Sequence, residues 1–320
     1  MPLASSASAT GVQFNSTPAQ SLRALLTASI DYAGLFPPCE LPLEPALQNQ
    51  AQYVRSDEAW MLNGFVLPTA KFTAAASLFP QFERKFPLQI SALGAKKESS
   101  TEFLETLPAL ADAIRGIPSA DQPVSVVQLE IGIPSDCDLK LLAGLHAISE
   151  EFHLRVFCEA PPADAERTIA LLAQHNTTRK ASLGFKLRTG GVTADAFPSS
   201  NQIALALVAA VRDHVPIKFT AGLHHPVRQF RDEVKTKMHG FLNVLGAGVL
   251  AAEHGWDENV ATQMLDDEDS SSFQFSGDNF GWRNWSITAQ QIQSHRDVIT
   301  SFGSCSFDEP REDLRALKLL

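Results

Sequence analysis

The amino-acid sequence predicts an α/β protein built on a (βα)8 barrel of the TIM type, followed by a C-terminal extension. Short β-rich segments recur between residues 30 and 245, amphipathic stretches separate them, and none of them ends in the G-x-G-x-x-G turn of a dinucleotide site. The 320 residues, 44% of them hydrophobic, suffice for a sizeable core. Eight such units in succession favour a closed barrel over a doubly wound sheet.

Each strand candidate is a short run of β-branched, aromatic or aliphatic residues that ends in Gly, Pro or a polar residue. In chain order the eight candidates are IDYAGLF at Ile30, NGFVLP at Asn63, LQISALG at Leu88, VVQLEIG at Val126, LRVFCEA at Leu154, LGFKLRT at Leu183, PIKFTAG at Pro216 and GFLNVLG at Gly240. The eighth belongs to a longer apolar run that could equally be one buried helix, because periodicity alone does not separate the two. A barrel with an irregular or missing strand is therefore compatible with the sequence.

The stretches between the strands predict helices, since their apolar residues recur at i, i+3 and i+4. Three of these helices begin near Thr101, Cys137 and Ser200. Ser199 or Ser200 is a suitable N-cap for the third, because a serine oxygen can accept a hydrogen bond from a free N–H of the first turn.

The chain divides into three parts in this prediction. Residues 1–17 form a mobile N-terminal arm, residues 18–255 form the barrel, and residues 256–320 form an extension that packs on the barrel. The last part turns polar and irregular after Trp256, and a helix is expected from Thr288 to Ser301.

Composition and charge exclude several classes of partner. Lys and Arg total 26 and Asp and Glu total 36, so the net charge is −10, which argues against binding to nucleic acid or to an anionic membrane. The four cysteines contain no C-x-x-C pair, so neither a disulfide framework nor a cysteine-based zinc site is expected. The sequence shows no signal peptide and no apolar run of bilayer length, so we expect a cytoplasmic protein.

Alternation along two neighbouring strands directs cations into the barrel. In LGFKLRT the apolar residues face outward, which leaves Lys186 and Arg188 facing inward, and in PIKFTAG the same count leaves Lys218 and Thr220 inward. Inward residues at the carboxyl ends of barrel strands form the active site in barrel enzymes. These residues therefore indicate a basic pocket.

The two preceding strands direct carboxylates to the same place. Glu130 in VVQLEIG and Glu159 in LRVFCEA both turn inward by the same count. A functional pocket explains this concentration of charge at one end of the barrel. The alternative is a structural ion-pair network that plugs the barrel, which requires every buried charge to be paired.

The turn after the first cationic strand suits an anion. Arg188 is followed by Thr189, Gly190 and Gly191, and the backbone N–H groups of such a turn can approach a phosphate or carboxylate next to an arginine. A plain turn is the alternative interpretation.

The loop after Lys218 carries two adjacent imidazoles. His224 faces inward by alternation, and His225 reaches the pocket as well if the chain bends, as the neighbouring Gly and Pro permit. Asn243, in the uncertain eighth strand, could orient a substrate or cap a turn. We therefore include His224 among the catalytic candidates and His225 and Asn243 among the binding candidates.

The segments FKLRTGG and IKFTAG resemble class I aldolases of the deoxyribose-phosphate aldolase type over residues 184–225. In those enzymes a barrel strand carries a Lys shortly before a Thr-Gly turn, and the next strand carries a second Lys. The resemblance implies a Schiff-base lyase or aldolase in which Lys186 forms the imine, Lys218 lowers the pKa of Lys186 and Glu130 assists proton transfer. Carboxylates close to Lys186 would oppose this pKa shift, because they favour the charged amine.

Two other functions would use the same residues. Glu130, Glu159 and His224 could bind a divalent metal ion, which would make the protein a metal-dependent lyase, isomerase or hydrolase. A non-catalytic barrel that binds a small anion or serves in an assembly is the third hypothesis. The imine hypothesis needs no cofactor, each enzyme hypothesis predicts a small anionic metabolite (a phosphate or carboxylate) as partner, and a homo-oligomer formed through the barrel helices is compatible with all three.

Overall fold

A computed structural model describes residues 17–117, 123–177, 179 and 181–320 of the chain. Eight parallel strands close into a barrel and alternate with helices, which confirms the predicted (βα)8 fold. The predicted mobile arm falls, over residues 1–16, outside the described residues.

The strands of the described residues are, in chain order, β1 (Ile30–Tyr32), β2 (Leu62–Pro68), β3 (Leu88–Leu93), β4 (Val124–Gly132), β5 (Arg155–Glu159), β6 (Gly184–Arg188), β7 (Ile217–Thr220), β8 (Gln229–Arg231), β9 (Thr236–Met238), β10 (Phe273–Ser276), β11 (Asn279–Trp282), β12 (Trp285–Thr288) and β13 (Ile299–Ser304). The barrel order is β1-β13-β7-β6-β5-β4-β3-β2. The first seven strand candidates of the sequence are therefore confirmed.

The α-helices of the described residues are α1 (Gln20–Leu26), α2 (Leu43–Tyr53), α3 (Phe72–Ala75), α4 (Ser100–Arg115), α5 (Leu139–Phe152), α6 (Ala165–Asn176), α7 (Ser200–Arg212), α8 (Phe241–His254), α9 (Glu258–Leu265), α10 (Ala289–His295) and α11 (Asp308–Ala316). Helices α4, α5 and α7 confirm the three predictions made from periodicity. Ser199 is the N-cap of α7 and forms a capping box with Gln202.

The prediction of an eighth strand at Gly240 is wrong, because this segment forms helix α8. The eighth barrel strand is instead β13, which pairs with β1 on one side and with β7 on the other. The barrel therefore extends to Ser304, so the predicted boundary between barrel and extension at residue 255 is also wrong. The predicted helix from Thr288 to Ser301 is correct only over α10, since the chain becomes β13 after it.

The segment between α9 and α10 forms a small antiparallel sheet of β10, β11 and β12. This sheet contacts α1 and α8, and the buried Trp282 packs edge-on against Trp256. The sheet is therefore an insertion between the seventh and eighth barrel strands rather than a terminal extension. Among the described residues, no helix is both long and apolar enough to cross a membrane.

Candidate active site

Four charged side chains meet inside the barrel, as the alternation of the strands predicts. Across the β5–β6 pair Glu159 lies opposite Lys186, and across the β6–β7 pair Lys186 lies opposite Lys218. Glu130 reaches the same layer from β4 and contacts both lysines. The predicted convergence of Glu130, Glu159, Lys186 and Lys218 is therefore confirmed.

Lys186 lies between two carboxylates. Its Nζ atom is 2.7 Å from Glu130 Oε2 and 2.7 Å from Glu159 Oε2. Lys186 and Glu130 are buried, whereas the Glu159 side chain keeps 29% of its exposure. The ammonium of Lys186 therefore bridges a buried carboxylate and one that reaches solvent.

Lys218 lies deeper in the barrel than Lys186. It is fully buried, and its Nζ atom binds Glu130 Oε1 and lies 2.8 Å from Asp31 Oδ2. Glu130 thus gives one oxygen to each lysine. The result is a continuous row of alternating charges from Asp31 on β1 to Glu159 on β5.

Asp31 is a site residue that the sequence reasoning did not select. Its carboxylate accepts hydrogen bonds from Asn63, Gln128, Ser301 and the backbone N–H of Gly64, in addition to its contact with the second lysine. A buried carboxylate needs such partners to stay ionised. One sequence signal could have identified Asp31. It stands between two apolar residues in IDY, so alternation along the strand turns its side chain inward.

The charges in this row shift the pKa values of Glu130 and Lys186. Burial alone would raise the pKa of Glu130, but the ammonium groups of Lys186 and Lys218 outweigh burial and hold it well below its usual range. Burial alone would lower the pKa of Lys186, but Glu130 and Glu159 outweigh it and raise the pKa. The lowered pKa that the aldolase resemblance implies for Lys186 is therefore wrong, because its two carboxylate partners favour the charged amine.

A cavity of about 510 Å³ opens at the carboxyl ends of the strands, directly above this row. The charged and titratable residues that line it are Lys96, Glu130, Glu159, Lys186, Arg188, His224 and Cys305. Lys218 is absent from the lining. Of the two buried lysines, therefore, only Lys186 can touch a molecule in the cavity.

The turn after β6 offers hydrogen-bond donors to that cavity. Gly190 and Gly191 line it, and within the described chain their backbone N–H groups make no backbone hydrogen bond. A Cβ atom on Gly190 would lie 2.9 Å from the Cα atom of Gly222, so the close contact of two loops also requires glycine here. Together with the exposed Arg188, these N–H groups suit an anion.

The two threonines at this end differ in position. Thr220 lines the cavity, as predicted. Thr189 is fully buried and is not part of the lining, and its hydroxyl donates to the carbonyl of Ala221 at 2.6 Å. The prediction that Thr189 binds the substrate is therefore corrected: it joins the β6 turn to the β7 loop.

The two histidines point in different directions, because the chain bends at Ala221 and Gly222, both in the left-handed region. His224 lines the cavity, and its Nδ1 atom is 3.2 Å from Glu309 Oε2. His225 does not line it, and its Nδ1 atom is 2.6 Å from Asp313 Oδ2 on α11. His225 thus anchors α11, which corrects its predicted binding role.

Asn243 also lies away from the cavity. Its Nδ2 group donates to the carbonyls of Met264 and Asp267, and its Oδ1 atom accepts from the backbone N–H of Arg228. Both polar atoms of its side chain are thus used in hydrogen bonds that connect the loops around α8. The predicted substrate-binding role of Asn243 is therefore wrong.

The metal-binding hypothesis requires Glu130, Glu159 and His224 to share an ion. Glu130 and Glu159 instead share the ammonium of Lys186, and His224 contacts Glu309. Within the part of the chain that the structure describes, no three His, Cys, Asp or Glu side chains are arranged to hold a metal ion.

A larger cavity of about 860 Å³ opens at the opposite end of the barrel. Asn63 and Gln128 line it and donate hydrogen bonds to Asp31, so the charged row lies between the two cavities. Barrel enzymes use the carboxyl ends of their strands, and Lys186 opens to that end. The smaller cavity is therefore the candidate active site.

Comparisons with known proteins add no assignment, since no protein-family model and no curated protein matches the chain.

Proposed function

We propose that the chain is an enzyme that acts on a small anionic carbonyl compound through an imine on Lys186, in a lyase or aldolase reaction. The observation that carries this proposal is the position of Lys186. Its amine lines the cavity and lies 2.7 Å from each of two carboxylates, of which Glu159 reaches solvent and can take its proton. A buried amine with a proton acceptor in contact is the arrangement that carbonyl addition requires.

The reaction begins with a proton transfer from Lys186 to Glu159. The neutral amine then adds to the carbonyl carbon, and the carbinolamine takes this proton back and loses one water molecule to give a protonated imine. In the cleavage step the hydroxyl group on the β carbon loses its proton to Glu159 and becomes a carbonyl, the bond between the α and β carbons breaks, and its electron pair moves toward the imine to form an enamine. The enamine then takes up a proton at its α carbon, and addition of one water molecule to the resulting imine releases the second product and restores the Lys186 amine.

Lys218 and Asp31 serve this site as positioning residues. Lys218 binds one oxygen of Glu130 and so leaves only the other oxygen for Lys186. Part of the negative charge next to Lys186 is thereby neutralised. We therefore assign to Lys218 the role of limiting the rise in the pKa of Lys186.

The anionic group of the substrate is bound at the turn after β6. Arg188 contributes positive charge there, and within the described residues the N–H groups of Gly190 and Gly191 make no backbone hydrogen bond; Lys96 adds positive charge to the same cavity. An arginine next to free N–H groups suits a carboxylate or a phosphate.

Reductive trapping tests this function. The protein is incubated with pyruvate, glyoxylate or dihydroxyacetone phosphate and reduced with cyanoborohydride, and the modified peptide is identified by mass spectrometry. We expect saturable addition of one molecule at Lys186, absent in Lys186→Met and unchanged in Lys140→Met, a control on the exposed face of α5. Binding of the probes without any adduct at Lys186 would instead support the non-catalytic anion-binding barrel.

A further inference from the structure

Two thiols meet at the rim of the candidate cavity, although the chain separates them by most of its length. Cys39 lies in the loop after β1, and Cys305 directly follows β13. Strands β1 and β13 are neighbours, with Tyr32 paired to Ser304, so both loops leave the barrel side by side. The two Sγ atoms are 2.9 Å apart.

The two thiols differ in their surroundings. Cys39 is exposed, whereas Cys305 is buried and lines the cavity. The Nδ1 atom of His224, which contacts Glu309, lies 3.8 Å from the Cys305 sulfur. Burial, together with the neighbouring Cys39, raises the pKa of Cys305, so Cys39 is the thiol that an oxidant meets first.

We propose that Cys39 and Cys305 form a redox modification site, a dithiol that hydrogen peroxide converts into a disulfide. Peroxide first oxidises the Cys39 thiol to a sulfenic acid and leaves as one water molecule. The Cys305 sulfur then attacks the Cys39 sulfur, and the hydroxyl of the sulfenic acid leaves with the Cys305 thiol proton as a second water. The two thiols lose two electrons in total, and peroxide accepts them.

This disulfide needs little movement of the chain. A disulfide has an S–S distance of about 2.0 Å, so the sulfur atoms approach each other by about 1 Å. The bond joins the loop of Phe36 and Pro38, which lines the cavity, to the wall formed by Cys305 and His224. Oxidation therefore fixes one side of the cavity rim, independently of any reaction at Lys186.

Thiol counting combined with peptide mapping tests the proposal. The folded, reduced protein is treated with a small excess of hydrogen peroxide, and free thiols are alkylated after denaturation. We expect the loss of two alkylatable thiols and a crosslinked peptide that joins Cys39 to Cys305, reversed by dithiothreitol. Cys137→Ser should keep the crosslink, whereas Cys39→Ser and Cys305→Ser should lose it.

Several outcomes would overturn the proposal, and each of them can be observed with the wild-type protein alone. Full alkylation of Cys39 and Cys305 after oxidation would show that no disulfide forms. A crosslink to Cys137 or Cys158, or an equal rate in the urea-unfolded chain, would show that the fold does not select this pair. Oxidation that occurs only after a chelator removes bound metal would assign the thiols to a metal site.

Discussion

Lys186 and Lys218 stand at equivalent positions of neighbouring strands, yet the fold gives them different chemistry. Both are buried and both bind Glu130, but only Lys186 opens to the cavity. Its second partner, Glu159, reaches solvent, whereas the second partner of Lys218 is the fully buried Asp31. Burial thus separates an amine that opens to the cavity from one that is enclosed in the barrel.

Replacing Lys218 with Met should make Lys186 harder to deprotonate, because Glu130 would then interact with Lys186 alone. We expect reductive trapping at about pH 8 to fall by about tenfold, since one pKa unit corresponds to a tenfold change in neutral amine. Trapping should recover as the pH rises. The variant must first show a native circular-dichroism spectrum, because an unpaired buried carboxylate is costly.

If the Lys218→Met variant loses reductive trapping and higher pH does not restore it, the role of Lys218 is purely structural. Lys140→Met, on the surface of α5, serves as the matched control and should leave the whole pH profile unchanged.

Replacing Arg188 with Gln should weaken the binding of anionic carbonyl compounds by about tenfold, as expected for one charge-assisted hydrogen bond at a partly exposed position. Affinity is measured by isothermal titration calorimetry with the probe that traps best. Arg84→Gln, on the exposed surface away from the cavity, should have no effect. An equal effect of both variants would exclude a specific anion contact at Arg188.

Local alternation was sufficient to predict the inward charges, because it depends only on neighbouring residues within one strand. Once the barrel had been predicted, it found Glu130, Glu159 and Lys186 from the strand sequences alone. It failed for His225 and Asn243, whose partners come from elements far along the chain. Such partners decide whether a polar side chain faces a cavity or holds two loops together.

At the scale of elements, the difficult segment was the one between β7 and β13. Helix α8 is buried on all of its faces from Phe241 to Ala251, so its apolar run has no polar side that would mark it as a helix. Strand β13 reads Ile-Thr-Ser-Phe-Gly-Ser, so it lacks the apolar signal of a buried strand although all of its residues are buried. The seven other barrel strands lacked these ambiguities and were predicted correctly.

Close packing of α8 on β13 depends on Gly248. A Cβ atom there would lie 2.7 Å from Cδ1 and 2.9 Å from Cγ1 of the buried Ile299. Gly248→Ala should therefore lower the free energy of unfolding by about 1–3 kcal/mol, as overpacking does, measured by urea denaturation.

Gly116 is the matched control, because it has negative φ and an added Cβ atom there meets its neighbours at no less than 3.4 Å. Gly116→Ala should be neutral or slightly stabilising. Helix propensity alone would make Gly248→Ala stabilising. A measured stabilisation of that size would contradict the packing described here.

At the scale of the whole molecule, stability should depend on pH through His239. The Nδ1 atom of this buried side chain accepts a hydrogen bond from Arg228, its Nε2–H group donates to the carbonyl of Pro198, and burial lowers its pKa to about 4. The unfolded chain binds a proton near pH 6.5 that the folded chain does not bind until about pH 4. The contribution of His239 to the free energy of unfolding is therefore fully present above the pKa of the unfolded chain. This contribution is lost as the pH falls from about 6.5 to about 4.

The contribution of His239 can be isolated by comparison with His239→Gln. Between about pH 7 and about pH 5 the wild type should lose about 2 kcal/mol more of its unfolding free energy than the variant. Urea denaturation at both pH values measures this difference, in which the carboxyl groups common to both proteins cancel. Equal losses would show that His239 is able to take up a proton without unfolding.

The most direct test of the central claim is a crystal structure of the protein after reductive trapping with pyruvate. We expect continuous electron density from Lys186 Nζ to the former carbonyl carbon, with the carboxylate of the adduct near Arg188 and the N–H groups of Gly190 and Gly191. Lys218 should remain bound to Glu130 and Asp31. A Lys186 that still bridges Glu130 and Glu159, with no covalent adduct in the cavity, would contradict the proposed chemistry.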